Sequence, residues 1–200
     1  MPAKKVQKTD IVQAALEILK TEDFSAVTAR RLADTLGCSV QPIYVNFASM
    51  EDLERSAFET MKALYYEYMD TGAREANAYK GMGLAYIRFA RDYPNYFKIL
   101  FMGKTELSAD SFIEQDSSGD HIIEHGMEMT GFSYEAQKKF HLKVWIFTHG
   151  LATMVATGTV QFSETEINQL LTETVREMVT GAKKTSTGGG RYFESQPTIN

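Results

Sequence analysis

The chain has 200 residues, of which 44% are hydrophobic, enough for one large core or for a small module joined to a larger one. Cys38 is the single cysteine, so an intramolecular disulfide is excluded and a reducing, cytoplasmic setting is expected. No apolar run reaches the roughly 20 residues of a membrane span, and the first residues lead into no signal-peptide core. The net charge of −5 divides into +1 for residues 1–50, with six basic and five acidic side chains, and −6 for the remainder. A polyanionic partner at the amino-terminal end is compatible with this division.

Two helices are predicted in the first part of the chain. Apolar residues spaced i, i+4, i+7 and i+8 give one buried face to a helix over residues 9–20. A second helix is predicted over residues 29–36, with Thr28 as its amino-terminal cap. Gly37 follows at once and supplies the left-handed residue with which many helices end.

A third, very short helix follows the turn at residues 37–39. Ser39 is its expected cap, and Pro42 fits the first turn, where a missing N–H costs little. Its apolar and aromatic residues are Val40, Ile43, Tyr44 and Phe47. Two short helices joined by a tight turn and braced by a preceding helix are typical of a helix-turn-helix, whose second helix enters the DNA major groove.

Longer helices are predicted for the rest of the chain, and no strand is predicted. Ser49 is expected to cap the first of them. The predicted ranges are 50–70, 76–93, 94–102, 108–130, 134–157 and 163–181, and residues 117–119 weaken the fourth of these helices. The chain is therefore expected to be all-α, with a helix-turn-helix domain over 1–48, a larger helical domain over 49–182 and a flexible Ser/Thr/Gly-rich tail over 183–200.

Residues 28–53 closely resemble the DNA-binding signature of the tetracycline-repressor-like (TetR) family. The matching residues are Thr28, Leu32, Ala33, Gly37, Ser39, Tyr44, Phe47 and Leu53. The later pattern W-x-x-x-H-G at Trp145, His149 and Gly150 is similar to one found in part of that family. Two positions depart from the family pattern, which often has Lys where this chain has Met50 and His or Tyr where it has Asn46.

The resemblance implies a homodimeric, all-helical repressor that binds a palindromic operator. It also implies that the repressor leaves the operator when a small molecule occupies the larger domain. The sequence leaves open a ligand-independent DNA-binding regulator or an activator. A small helical enzyme is disfavoured, because no phosphate loop, nucleophile elbow, catalytic carboxylate pair or Cys/His constellation is present.

Base-reading residues are expected on the exposed side of the third helix. Gln41 and Asn46 can each pair with adenine, while Ser39 and Val40 lie at the leading end, where Val can touch a thymine methyl group. Because this helix has no Arg or Lys, guanine contacts would have to come from Arg30. The plainer interpretation of these residues is an ordinary solvated surface.

Phosphate contacts are expected from groups that position a duplex without reading its sequence. The predicted residues are Thr28, Tyr44 and the amino-terminal Lys4, Lys5 and Lys8. Tyr44 can also belong to the core with its hydroxyl in water, and the charges of Arg30 and Arg31 can be merely solvated.

The larger domain is rich in methionine and aromatic residues, which suits a pocket for a small apolar or aromatic effector. The predicted pocket residues are Met61, Tyr65, Tyr68, Met69, Tyr86, Phe89, Phe97, Phe101, Phe112, Trp145 and His149. Any single member can be plain core, so the prediction concerns the set. The long helix from Met50 is expected to act as a lever between this pocket and the third helix.

The last two predicted helices are expected to form the dimer interface as a four-helix bundle with their symmetry mates. The apolar residues that suggest this are the run 144–155 and Ile167, Leu170, Leu171, Val175 and Met178. The alternative is that they fill the core of one protomer. The four histidines fit no recognisable metal-ligand spacing, so neither a metal nor another cofactor is expected.

Overall fold

A computed structural model of the chain describes residues 6–103 and 119–187. Within these ranges the regular structure is helical, as predicted, with a short 3-10 turn at Phe24–Ala26. The α-helices are α1 (Lys8–Leu19), α2 (Ala29–Leu36), α3 (Gln41–Asn46), α4 (Met50–Ala73), α5 (Ala78–Asp92), α6 (Pro94–Phe101), α7 (Gly119–Thr130), α8 (Tyr134–Thr157) and α9 (Glu164–Thr187). The predicted helix over 108–130 is present from Gly119, and its first part lies outside the described residues. None of the helices in these ranges carries an apolar stretch of the length that a bilayer crossing needs.

The first three helices pack around a small core that includes Ile11, Leu32 and Ile43. Both ends of α2 are as predicted: the Thr28 hydroxyl oxygen accepts the Arg31 N–H at 3.2 Å, and Gly37 has a φ of +63°. The sequence therefore determines α2 through its two end residues.

The predicted cap of α3 is wrong. Val40, not Ser39, precedes the helix, and no side chain caps it. The backbone of Val40 is already helical, and its carbonyl accepts the Ile43 N–H at 3.1 Å. The backbone thus closes the first turn, and the Ser39 hydroxyl is not needed for this purpose.

Helix α4 connects the amino-terminal helices to the rest of the protein. Its start is capped as predicted, because the Ser49 hydroxyl oxygen accepts the Asp52 N–H at 3.3 Å. Its buried residues repeat every four positions from Leu53 through Ala57, Met61, Tyr65 and Met69. One continuous apolar seam therefore runs from the helix-turn-helix to the body of the protein.

Helix α9 lies on the outside of the body, with Ile167 and Leu171 buried against it. It extends to Thr187, so the predicted end at Gly181 is wrong, and residues 183–187 of the predicted tail are helical. A glycine inside a helix costs only about 1 kcal/mol, and Lys184 in the last turn is favourable at a helix carboxyl end. The rest of the predicted tail lies outside the described residues.

Candidate nucleic-acid interface and effector site

Helix α3 has one buried side and one exposed side. Ile43 and Phe47, four residues apart, are 1% and 2% exposed and anchor the helix in the amino-terminal core. This spacing turns Tyr44, which lies between them, outward. Tyr44 is 58% exposed and Val40 43%, and Gln41 is also exposed. Three of the predicted DNA-contacting side chains therefore share one open surface.

Val45 is 74% exposed and also lies on this surface, and it was not predicted from the sequence. Helical geometry provides a signal that could have found it. Val45 is two positions after the buried Ile43 and two before the buried Phe47, about 200° around the helix from each. An exposed valine at the centre of a short surface helix suits contact with a thymine methyl group.

Asn46 does not share the exposed surface of α3. Its side-chain amide donates to the Pro42 carbonyl at 2.8 Å and lies 3.5 Å from the Val6 carbonyl oxygen. The residue is half-buried and links the end of α3 to the chain before α1. Its assignment to base reading stays a prediction that this geometry does not favour.

The side chains predicted to contact phosphate surround this surface in part. Thr28, Arg30 and Ser39 are exposed. The ammonium group of Lys8 lies 4.7 Å from the centre of the Phe47 ring, beside the end of α3. Lys4 and Lys5 lie outside the described residues. Their contacts with DNA stay predictions.

Arg31 differs from its neighbour Arg30 because it has a partner within the domain. Its guanidinium donates hydrogen bonds to both carboxylate oxygens of Glu22, one of them at 2.9 Å. This pairing lowers the pKa of the Glu22 carboxyl group. Arg31 is thus already in an ion pair with Glu22. Arg30 takes no part in this pair, and its exposed side chain can reach a molecule bound to the domain.

The predicted effector residues within the described ranges form one aromatic cluster. We define the aromatic cluster by the rings of Tyr65, Tyr86, Phe89, Phe97, Phe101, Trp145 and His149, which come from α4, α5, α6 and α8. Ring-centre separations of 4.9 Å from Tyr65 to Phe101 and 5.4 Å from Tyr86 to Phe97 show direct packing. Phe112 lies outside the described residues.

The three remaining predicted residues flank the aromatic cluster along α4. Met61 and Met69 are buried, at 0% and 5% exposure. Tyr68 is half-buried and donates its hydroxyl hydrogen to Asp92 at 3.0 Å. Burial and this carboxylate raise the pKa of Tyr68 to about 12. The Tyr68 hydroxyl is therefore already hydrogen-bonded to Asp92, at the outer edge of the aromatic cluster.

The polar centre of the aromatic cluster is a pair formed by Tyr86 and His149. A hydrogen bond of 2.9 Å joins the Tyr86 hydroxyl and His149 Nδ1. The Trp145 ring stacks on the imidazole with a centre separation of 4.9 Å and an angle of 18°. Burial lowers the pKa of His149, so the neutral imidazole is favoured. This arrangement combines apolar ring surfaces with one polar group, the chemistry that an aromatic ligand with a hydrogen-bonding atom requires.

A second buried polar pair was not predicted. The Tyr79 hydroxyl and His141 Nδ1 are 3.1 Å apart in a smaller core between α5 and α8. Burial lowers the pKa of His141 to about 4 and raises the pKa of Tyr79. The two residues are 62 positions apart, so no local sequence pattern could have revealed the contact.

The predicted dimer surface is divided between inside and outside. Ile167 and Leu171 are 5% and 3% exposed in the single chain, so they belong to its own core, as the alternative interpretation held. By contrast, Ile146 and Met154 on α8 and Leu170 on α9 are 57%, 44% and 37% exposed. The apolar surface that remains open therefore lies on the outer faces of the last two helices.

Comparisons with known proteins agree with this architecture. Residues 11–57 match the family model described as "Bacterial regulatory proteins, tetR family". A solved structure described as a TetR-like transcriptional regulator from Rhodococcus sp. RHA1 is similar with a TM-score of 0.62 and 13% sequence identity, over 94% of this chain and 100% of that chain. A comparison with curated protein sequences gives no significant match.

The first three helices and the open surface of α3 have the arrangement of a helix-turn-helix. The family match over residues 11–57 confirms the resemblance to the tetR family that the sequence of the amino-terminal helices shows. The solved TetR-like structure shares its fold with most of this chain.

Proposed function

We propose that the chain is a homodimeric repressor that binds a palindromic operator and is released from it by a small apolar or aromatic effector. The observation that carries the DNA-binding part is the open surface of α3, where Val40, Gln41, Tyr44 and Val45 are exposed while Ile43 is buried. Two exposed valines and an exposed tyrosine lie on this six-residue helix and the residue before it, and an exposed apolar patch of this kind is typical of a surface that a partner covers.

The chemistry of this surface favours operator half-sites rich in A·T pairs. Gln41 can pair with the N6 and N7 atoms of adenine, and the two valines can contact thymine methyl groups. The helix Gln41–Asn46 has no Arg or Lys, the residues that most often read guanine. Arg30, exposed on α2, is the candidate for a guanine contact at the edge of a half-site.

The dimer is proposed to form through the outer faces of α8 and α9. Ile146 and Met154 supply the α8 contribution, and Leu170 supplies that of α9. A Cβ atom at Gly150, between the two α8 residues, would meet no atom of the same chain within 4 Å, so this part of α8 is open for close approach. An isologous pair of these faces forms a four-helix bundle and sets the two copies of α3 at a fixed separation.

The effector is proposed to bind at the aromatic cluster. Trp145 and Phe101 are half-buried, so the cluster has an accessible edge, and the Tyr86–His149 pair offers a hydrogen bond next to it. The seam of α4 connects Tyr65 in the cluster to Leu53 near α3. An effector that favours one tilt of α4 changes the separation of the two recognition helices, which must match half-sites about 34–36 Å apart.

The test begins with selection of binding sites from random DNA by the purified full chain. We expect two inverted half-sites rich in A·T. Aromatic compounds are then screened by the fluorescence of Trp145, the single tryptophan, and each compound that binds is added to the operator complex in a gel-shift titration. A compound that quenches Trp145 is expected to release the operator over the same concentration range.

Two results separate the proposed parts. If no inverted repeat is selected, the palindromic operator and the dimer are wrong. If compounds bind with quenching of Trp145 and operator affinity does not change, the effector part is wrong and the chain is a ligand-independent regulator. Tyr86→Phe, which removes one hydroxyl group, provides the matched variant for effector binding, since it leaves the helix-turn-helix unaltered.

A further inference from the structure

A cavity of about 270 Å³ lies between α5, α8 and α9, and we call it the α5/α9 cavity. None of the residues predicted to bind the effector lines it. Its lining combines apolar side chains of α8 and α9 with residues at the start of α5. It is therefore a different place from the aromatic cluster, closer to the start of α5.

The wall of the α5/α9 cavity is apolar. Val144 on α8 and Leu171, Val175 and Val179 on α9 supply most of this wall, with Met129 at the end of α7. Leu171 and Val144 are 3% and 7% exposed, so the wall continues into the core of the protein. A ligand here gains the free energy of removing its apolar surface from water.

The hydroxyl groups in this wall are already hydrogen-bonded within the protein. The hydroxyl groups of Thr148, Thr172 and Thr180 donate to backbone carbonyls one turn earlier, at 2.8, 2.6 and 2.8 Å. The Tyr79 hydroxyl is paired with His141. The wall therefore offers little to a polar ligand body and accepts an apolar one.

The edge of the α5/α9 cavity is positively charged. Two of its thirteen lining residues, Lys80 on α5 and Arg176 on α9, are basic, and none is acidic. In the described parts of the chain neither has a carboxylate within ion-pair distance, whereas Arg88 and Arg91 nearby on α5 are paired with Glu75 at 3.1 Å and Glu164 at 2.7 Å. Two unpaired cations beside an apolar wall are complementary to an anion with an apolar body.

We propose that the α5/α9 cavity binds a small apolar monocarboxylate, with its hydrocarbon part against Val144 and Val175 and its carboxylate between Lys80 and Arg176. The volume sets the size of the ligand, because 270 Å³ holds about nine non-hydrogen atoms at the roughly 30 Å³ that a water molecule occupies. A straight-chain carboxylate of eight carbons has ten non-hydrogen atoms, of which the eight carbons fill this volume and the two oxygens lie at its charged edge. The site requires neither DNA nor an effector at the aromatic cluster.

The probe for this site is octanoate, titrated into the full chain by isothermal calorimetry. We expect saturable binding of one octanoate per chain. Butyrate has the same charge with half the chain length and is expected to bind much more weakly. Octylamine has the same chain with the opposite charge, and we expect it not to bind.

Two variants and one control locate the site. Arg176→Gln removes a cation from the exposed edge and is expected to weaken octanoate binding about tenfold, the usual scale for loss of one charge-assisted hydrogen bond. Val175→Phe fills the cavity and is expected to abolish binding. Lys143→Gln removes an exposed cation of α8 that does not line the cavity, so it is expected to bind octanoate as the unmodified chain does.

The proposal is overturned if octanoate does not bind the unmodified chain, or if octylamine binds equally well. It is also overturned if Arg176→Gln, whose side chain is exposed and whose folding is checked by circular dichroism, binds octanoate with unchanged affinity. Binding that is retained in folded Val175→Phe would place octanoate elsewhere, the aromatic cluster included, and would likewise contradict the α5/α9 cavity.

Discussion

Helices α4 and α5 approach each other closely at Gly72 and Gly81, so a methyl group added at Gly72 is expected to destabilise the protein. A Cβ atom built on Gly72 of α4 would lie 2.5 Å from the carbonyl oxygen of Gly81 on α5 and 2.9 Å from the Ala85 Cβ atom. Gly81 in turn has no room for a Cβ atom against the Gly72 carbonyl oxygen. The two helices therefore cross with glycine on both sides.

Gly72→Ala is expected to lower the free energy of unfolding by about 2 kcal/mol. The methyl group needs about 3.4 Å from the Gly81 oxygen and has 2.5 Å, so the helices must separate by about 0.9 Å. The obstacle is backbone, which cannot rotate away as a side chain does. For a chain of this size the loss corresponds to a fall in Tm of about 4–8 °C, measured by circular dichroism.

Gly181→Ala is the matched control for this prediction. A Cβ atom at Gly181 of α9 meets no atom within 4 Å, so the substitution causes no clash. Its only expected effect is the higher helix propensity of alanine relative to glycine. It is expected to raise the free energy of unfolding by up to about 1 kcal/mol. If Gly72→Ala has the Tm of the unmodified chain or a higher one, the close crossing of α4 and α5 is wrong.

Three further predictions concern pH, salt and assembly. Burial lowers the pKa of His141 to about 4 from 6.5, so between these pH values the unfolded chain binds a proton that the folded protein does not. The free energy of unfolding should therefore fall by about 3 kcal/mol from pH 6.5 to pH 4. Urea titrations of His141→Gln should show a smaller fall over the same pH range. Replacing Lys4, Lys5 and Lys8 together by Gln should reduce the slope of log affinity for DNA against log salt by about 2–3, and an unchanged slope excludes the amino-terminal contacts. Ile146→Glu should convert dimer to monomer in analytical ultracentrifugation with helix content retained, because it buries a charge in the proposed interface; an unchanged sedimentation coefficient contradicts that interface.

Local signals predicted helices best where a distinct residue stands at each end. Helix α8 has the predicted bounds because Ser133 caps its start, accepting the Ala136 N–H at 3.4 Å, and Gly158 ends it with a φ of +67°. Helix α9 does not end at Gly181 as predicted but continues to Thr187. The predicted end and the tail after it depended on composition alone. End residues with a specific backbone role carry more information than composition does.

The direction in which a side chain points was harder to predict. Ile167 and Leu171 were assigned to a dimer surface but pack inside one chain. The sequence shows that a helix has an apolar face, but it does not show whether the same chain or a second copy covers that face. Val45 was not singled out, although its position between the buried Ile43 and Phe47 places it on the exposed side of α3. The Gly72–Gly81 crossing depends on how two helices meet, which neither helix reveals alone.

The most direct test of the account compares specific with non-specific binding after substitution of Gln41. Affinities of the purified chain for the selected operator and for unrelated DNA are measured by fluorescence anisotropy at one salt concentration. Gln41→Ala is expected to lower the ratio of the two affinities about tenfold, with non-specific affinity unchanged, because the lost contact reads a base. Gln169→Ala, at an exposed glutamine of α9, should leave the ratio unchanged. A ratio that Gln41→Ala does not alter would contradict the assignment of the open surface of α3 to the major groove.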